Sequence, residues 1–67
     1  MMELSNRIKS LRTGFHLSQD YIAKYLGISC SSVNKMEEGK REITTREIDK
    51  LCSLYGINPK TLLKGSH

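Results

Sequence analysis

The residues from Ser18 to Gly39 read SQDYIAKYLGISCSSVNKMEEG, and they predict two short helices joined by a tight turn. Each helix is preceded by a serine, Ser18 or Ser29, whose hydroxyl can accept hydrogen bonds from the open N–H groups of the first helical turn. Gly27 has no Cβ and can adopt the left-handed conformation that ends the first of the two helices. A helix of about two turns is unstable alone, so packing must hold the second one while its outer face stays free.

Helical periodicity sorts the side chains of this stretch into inner and outer faces. At about 100° per residue, Ile22 and Leu26 share the inner side of the helix before Gly27 with Tyr25. In the helix after Gly27, Val33 and Met36 point inward. The opposite face of that helix carries Ser31 and Lys35, flanked by Ser32, Asn34 and Glu38.

The residues before this stretch predict one longer helix. Leu4, Ile8 and Leu11 recur at the spacing of a buried stripe, and Gly14 terminates the pattern. Arg12 falls on the same apolar side, where an arginine usually needs a carboxylate partner. Glu37 also lies on the inward flank of its helix, so we expect an Arg12–Glu37 ion pair rather than direct contact of Arg12 with a ligand.

Capping patterns predict two further helices after Gly39. Thr44 with Glu47 three residues later forms a capping box, and Asn58 followed by Pro59 is a favoured helix start. Leu62 and Leu63 are expected to close the core. The sequence therefore predicts an all-α, compact five-helix bundle in one domain over residues 1–67, with helices at about 3–13, 19–26, 30–38, 45–55 and 59–64.

Composition narrows the functional classes. The 67 residues include 11 Lys and Arg against 7 Asp and Glu, a net charge of +4 that favours an anionic partner, although a solvated basic surface explains it equally well. The absence of a long apolar run excludes a membrane span. Cys30 and Cys52 form neither a metal quartet nor a disulfide framework, which fits a reducing cytoplasm. Because His16 and His67 are isolated and no Gly-rich phosphate loop occurs, we expect no enzyme, metal or cofactor.

The chain resembles the helix-turn-helix domains of the phage repressor and Cro family, also called the Xre family. The resemblance covers nearly the whole chain, and its matching residues are Ser18-Gln19, Ile22-Ala23, Leu26 to Ser29, Val33, and Glu37, Gly39, Lys40 and Arg41. It implies the lambda-repressor-like fold, with the helix-turn-helix at residues 18–39. It also implies a sequence-specific regulator of transcription whose recognition helix, the one after Gly27, enters the major groove of double-stranded DNA.

The resemblance assigns roles to individual residues. Base edges would be read by Cys30, Ser31, Ser32, Asn34 and Lys35, of which Lys35 can donate to guanine O6 and N7. For Cys30, a packing role stays open beside base reading. Phosphates would be bound by Gln19, Lys40, Arg41, Thr44, Thr45 and Arg46. In the family, an arginine and a glutamate that match Arg12 and Glu37 tie the first helix to the recognition helix.

Two alternatives stay open at the level of the whole chain. Family members commonly bind palindromic operators as homodimers with half-sites ~34 Å apart, but a monomer that pairs only on DNA is as well supported. The same fold also suits an antitoxin or anti-repressor whose outer surface binds protein. The basic residues around Lys35 and Lys40 favour DNA as the partner.

Overall fold

The computed structural model describes residues 4–64 and shows five α-helices in this part of the chain, without strands. The helices are α1 Leu4–Gly14, α2 Gln19–Leu26, α3 Cys30–Glu37, α4 Thr45–Tyr55 and α5 Pro59–Lys64. The predicted all-α, five-helix architecture is thereby confirmed. No helix within these residues is long and apolar enough to cross a membrane.

The predicted helix ends hold to within one residue where the structure describes them. The bounds of α2, α4 and α5 match the predicted ones, whereas α1 includes Gly14 and α3 ends at Glu37 instead of residue 38. Glu38 is the C-cap of α3, and its N–H donates to the carbonyl of Asn34 at 3.0 Å. The predicted start of α1 at residue 3 lies outside the described residues.

The turn between α2 and α3 forms as its residues predict. The Ser18 hydroxyl accepts from the Tyr21 N–H at 3.0 Å, and the Ser29 hydroxyl accepts from the Ser32 N–H at 3.1 Å. Gly27 adopts φ +75°, and its N–H donates to the carbonyl of Ala23. These bonds satisfy open backbone groups at the ends of both helices and set the angle at which α3 leaves α2.

All five helices contribute to one apolar core. Its most deeply buried side chains are Ile8, Ile22, Val33, Met36, Leu51 and Leu62. Two expectations about the core were wrong: Tyr25 is 36% exposed and Leu63 is 50% exposed. Both side chains lie at the edge of an apolar stripe, where burial depends on how far the neighbouring helix extends. α3 packs against α2 and α1, which leaves the remainder of its surface open.

Candidate nucleic-acid interface

The outer face of α3 is an open polar surface. Val33, Met36 and Glu37 are buried and hold the helix to the core, whereas Ser31, Asn34 and Lys35 are exposed on the side away from it. The helix has the diameter that the major groove of B-DNA admits. This face therefore offers hydroxyl, carboxamide and ammonium groups to a ligand without any rearrangement of the core.

The two residues at the sides of this face differ in accessibility. Cys30, the first residue of α3, is an exposed free thiol. Of the two roles that stayed open for it, base reading and packing in the core, the structure does not support packing. Ser32 is half-buried, and its hydroxyl lies 3.0 Å from that of Ser29. A hydroxyl held in this way is less available to a ligand than that of Ser31.

The segment after α3 and the start of α4 carry further exposed basic and hydroxyl side chains. Lys40, Thr44, Thr45 and Arg46 are all exposed. The ammonium of Lys40 lies 3.4 Å from the Glu38 carboxylate. Because this ion pair is exposed to solvent, it contributes little to stability and leaves the charge of Lys40 accessible. The Thr44 hydroxyl caps α4 by accepting from the Glu47 N–H, so its lone pairs are partly used.

Arg41 differs from these residues because its guanidinium is already paired. It donates to both carboxylate oxygens of Glu47, at 3.0 and 2.9 Å, and to the carbonyl of Glu42 at 3.1 Å. The hydrogen bonds with Glu47 raise the pKa of Arg41, and those from Arg41 lower the pKa of Glu47. The pair removes net charge from the surface at this point.

Arg12 and Glu37 form an ion pair that ties α1 to α3. The Nε and Nη2 atoms of Arg12 donate to the two carboxylate oxygens of Glu37 at 2.6 and 3.0 Å, and Nη1 donates to the carbonyl of Leu17 at 2.8 Å. The side chains are only 12% and 2% exposed, so the pair is shielded from water. The hydrogen bonds to Glu37 raise the pKa of Arg12. In this arrangement the guanidinium of Arg12 binds groups within the molecule and supports α3 from behind.

Gln19 lies beside this pair, at the start of α2. Its Nε2 donates to Oε1 of Glu37 at 3.0 Å and to Oδ1 of Asn34 at 3.3 Å. Both amide hydrogens are thereby used inside the molecule, so the donors left at this end of α2 are backbone N–H groups. Sequence reasoning missed this link, although the spacing of Asn34 and Glu37 at i and i+3 places them on one flank of α3.

Tyr55 closes the core behind the ion pair. Its hydroxyl is buried and has no hydrogen-bond partner among the described residues, and its ring packs against Phe15 with 5.0 Å between centroids. Burial is the main reason that the pKa of Tyr55 is raised to about 12. Within residues 4–64, no three His, Cys, Asp or Glu side chains lie close enough together to hold a metal ion.

The helices α2 and α3, the turn at Gly27 between them and the exposed outer face of α3 define a helix-turn-helix domain. Comparison with known proteins agrees with this assignment. Residues 8–62 match the sequence profile of the helix-turn-helix family, and the chain belongs to this family. Solved structures of the P22 c2 repressor share the arrangement of the helices, which confirms the predicted repressor-like fold.

Two similar proteins share sequence with this chain, and a third shares its fold. The chain is 38% identical over 61 residues to an SPbeta prophage-derived HTH-type transcriptional regulator, YonR of Bacillus subtilis, and the alignment covers 91% of this chain but 56% of that protein. It is 33% identical to the restriction-modification controller protein C.AhdI from Aeromonas hydrophila, with a TM-score of 0.79 over 90% of this chain and 91% of the other. The P22 c2 repressor protein, solved with a synthetic operator, superposes with a TM-score of 0.86 at 23% identity, over 98% of this chain and 100% of its own.

Proposed function

We propose that this chain is a transcriptional regulator that binds double-stranded DNA, with α3 as the recognition helix in the major groove. The observation that carries the proposal is that Ser31 and Lys35 on α3, Lys40 in the following loop and Arg46 at the start of α4 are all exposed. Buried side chains of α3 fix this surface to the core, so it can dock as a preformed unit. Membership in the helix-turn-helix family supports DNA as the ligand.

Base recognition falls to the outer face of α3 in this proposal. Lys35 donates to guanine O6 or N7, and Ser31 donates or accepts through a short hydroxyl. Cys30, Ser32 and Asn34 lie at the sides of this contact, and the thiol of Cys30 is exposed enough to touch a thymine methyl. Because serine hydroxyls discriminate weakly, water-bridged contacts contribute to the readout.

Phosphate binding comes from two places that flank α3. The loop after α3 and the start of α4 supply Lys40, Thr44, Thr45 and Arg46, and Arg41 contributes when its pairing with Glu47 opens. On the other side, the first backbone N–H groups of α2, beginning at Gln19, can bind a phosphate with the help of the helix dipole. These contacts position the domain and make binding dependent on salt.

A homodimer on a palindromic operator completes the proposal. A single module of this size buries only ~600–1,000 Å² against DNA, and pairing two modules raises both affinity and specificity. Such a regulator acts where bacterial or phage DNA is read, in the cytoplasm. The sequence it recognises is set by α3, whereas activation or repression depends on where the operator lies.

The proposal is tested by titrating fluorescently labelled duplexes at several salt concentrations. For Lys40→Ala we expect equally weaker binding to every duplex and a salt slope smaller by about 1, because one phosphate contact is lost. For Lys35→Ala we expect a loss of preference between duplexes of about 1–3 kcal/mol, since this residue contacts bases.

Lys60→Ala is the matched control, because Lys60 is an exposed lysine on α5, a helix that contributes no residue to the proposed surface. It should leave the affinity for the preferred duplex within about twofold of the wild-type value. If Lys35→Ala and Lys40→Ala bind every duplex as the wild type does, the outer face of α3 is not the DNA-binding surface. If the wild type itself binds no duplex, the DNA proposal is refuted and an interaction surface for protein becomes the better explanation.

A further inference from the structure

A line of hydrogen bonds runs from the buried ion pair to the outer edge of α3. Arg12 donates to Glu37, Gln19 donates to the same carboxylate at 3.0 Å, and the same nitrogen of Gln19 donates to Asn34 at 3.3 Å. We call these four side chains the amide relay. Three helices contribute to it, α1, α2 and α3, and it ends at an exposed residue.

The chemistry of the relay fixes the direction of each amide. Both carboxylate oxygens of Glu37 accept hydrogen bonds from Arg12, so the group of Gln19 that faces Oε1 must be a donor, its NH2 group. The atom of Asn34 that faces this same NH2 group must then be its carbonyl oxygen. It follows that the NH2 group of Asn34 points away from the relay, toward the exposed side of α3.

The relay is anchored well enough to hold this orientation. Glu37 is 4% exposed and is bound by two nitrogens of Arg12, and Gln19 is half-buried beside it. Hydrogen bonds to a charged group are stronger than those between neutral groups, which favours the bound rotamer of Gln19. To turn its own amide over, Asn34 would have to place its NH2 group against the NH2 group of Gln19.

We propose that Gln19 is a positioning residue that presents Asn34 as a hydrogen-bond donor, and that Asn34 thereby selects guanine at one position of each half-site. The inference rests on the proposed function and adds a base preference to it. Guanine offers two adjacent acceptors, O6 and N7, in the major groove and no donor beside them. The usual contact of asparagine with adenine instead requires both its NH2 group and its oxygen, and the Asn34 oxygen is turned toward Gln19.

The test is selection of bound duplexes from random DNA with the wild type and three variants. We expect the wild type to select guanine at one position. In Asn34→Ala, the preference for guanine at that position should fall about tenfold. In Asn34→Asp, which keeps the shape but can only accept, we expect cytosine at that position, because its N4 amino group donates. In Gln19→Met, which removes the donors of the relay, the amide of Asn34 is free to turn, and adenine should become accepted beside guanine.

Thermal unfolding of each variant separates this positioning role from a merely structural one. Gln19→Met loses a hydrogen bond to a buried carboxylate and is expected to melt lower, whereas both Asn34 variants alter an exposed side chain. The exposed Ser53→Ala on α4 serves as the control and should select the wild-type motif. A folded Gln19→Met protein that selects the wild-type motif unchanged overturns the inference.

Two further results have distinct meanings. If the wild type selects a clear motif that Asn34→Ala leaves unaltered, the inference falls while the proposed function stands. The same holds if the position at which Asn34→Ala loses its base preference carries adenine in the wild-type motif. If the wild type selects no motif from any pool, the proposed function falls, and the inference falls with it.

Discussion

At the scale of single residues, Glu47 holds two interactions at the edge of the candidate interface. Its carboxylate accepts from the Thr44 N–H to close the capping box of α4, and it binds the guanidinium of Arg41 through both oxygens. Glutamine can also close a capping box, so Glu47→Gln removes the charge while keeping the helix start. The substitution therefore isolates the ion pair.

For Glu47→Gln we expect a loss of unfolding free energy that depends on pH. Because Arg41 lowers the pKa of Glu47 below its ordinary value of 4.5, the charge contributes stability above that value and the contribution is lost as pH falls through the folded-state pKa. The variant should be less stable by roughly 0.5–1 kcal/mol at neutral pH, and the difference should vanish in acid. Urea unfolding at a series of pH values measures it.

Glu42→Gln is the control for this series, because Glu42 lies in the same loop and its side chain is exposed. It should change the unfolding free energy little at any pH. A difference between wild type and Glu47→Gln that stays constant from neutral pH into acid would contradict the account, because it could not arise from the charge.

Residue by residue, the sequence predicts contacts within one helix better than contacts between helices. The proximity of Arg12 and Glu37 could be anticipated because both fall on inward flanks and an inward charge needs a partner. The hydrogen bonds of the Gln19 side chain could not be anticipated, because they depend on the distance between α2 and α3 and on one rotamer of Gln19. The pairing of Arg41 with Glu47 could not be predicted either, because the loop between them has no periodic pattern.

At the scale of elements, the turn at Gly27 sets how α3 is presented. Gly27 has φ +75°, and a Cβ built there would meet no atom within 4 Å, so the need for glycine is purely conformational. Gly14 also has open space around it, but it lies in α1 without a positive φ. These two glycines make a matched pair for testing the turn.

We expect Gly27→Ala to destabilise the domain by about 1–2 kcal/mol, because alanine is strained in the left-handed conformation. Gly14→Ala should instead stabilise it by about 0.5–1 kcal/mol, because alanine restricts the unfolded chain and favours the helix. Thermal or urea unfolding of both variants gives the comparison. If Gly27→Ala changes the free energy of unfolding as Gly14→Ala does, the turn does not impose the conformation that we describe.

Helix positions were well predicted because many helix starts and ends carry a local chemical signal, a capping hydroxyl or a terminal glycine. Ser18, Ser29 and Thr44 are found as caps, and Gly27 and Gly56 are found in the left-handed conformation. The errors at Tyr25 and Leu63 come from a different level of structure. Periodicity within one helix identifies an apolar side, but the edge of that side is buried only where a neighbouring helix covers it.

At the scale of the whole molecule, five short helices within residues 4–64 support one exposed polar face on α3. No helix here is long enough to be stable alone, so α3 keeps its orientation through the core side chains beneath it and the Arg12–Glu37 pair. Ser31 and Lys35 on the outer face of α3 are exposed and take no part in the core, so the fold places little restriction on them. This separation explains why the fold is evident from the sequence while the ligand preference of the outer face is not.

The most direct test of the account is an NMR titration of the isotope-labelled chain with a short DNA duplex. The account predicts that the largest shifts of backbone amide signals fall on Ser31, Lys35 and residues 40–46, and that they shrink as salt is added. Largest shifts on α5 or on the exposed side of α1, or no shifts at low salt, would contradict the claim that the outer face of α3 binds DNA.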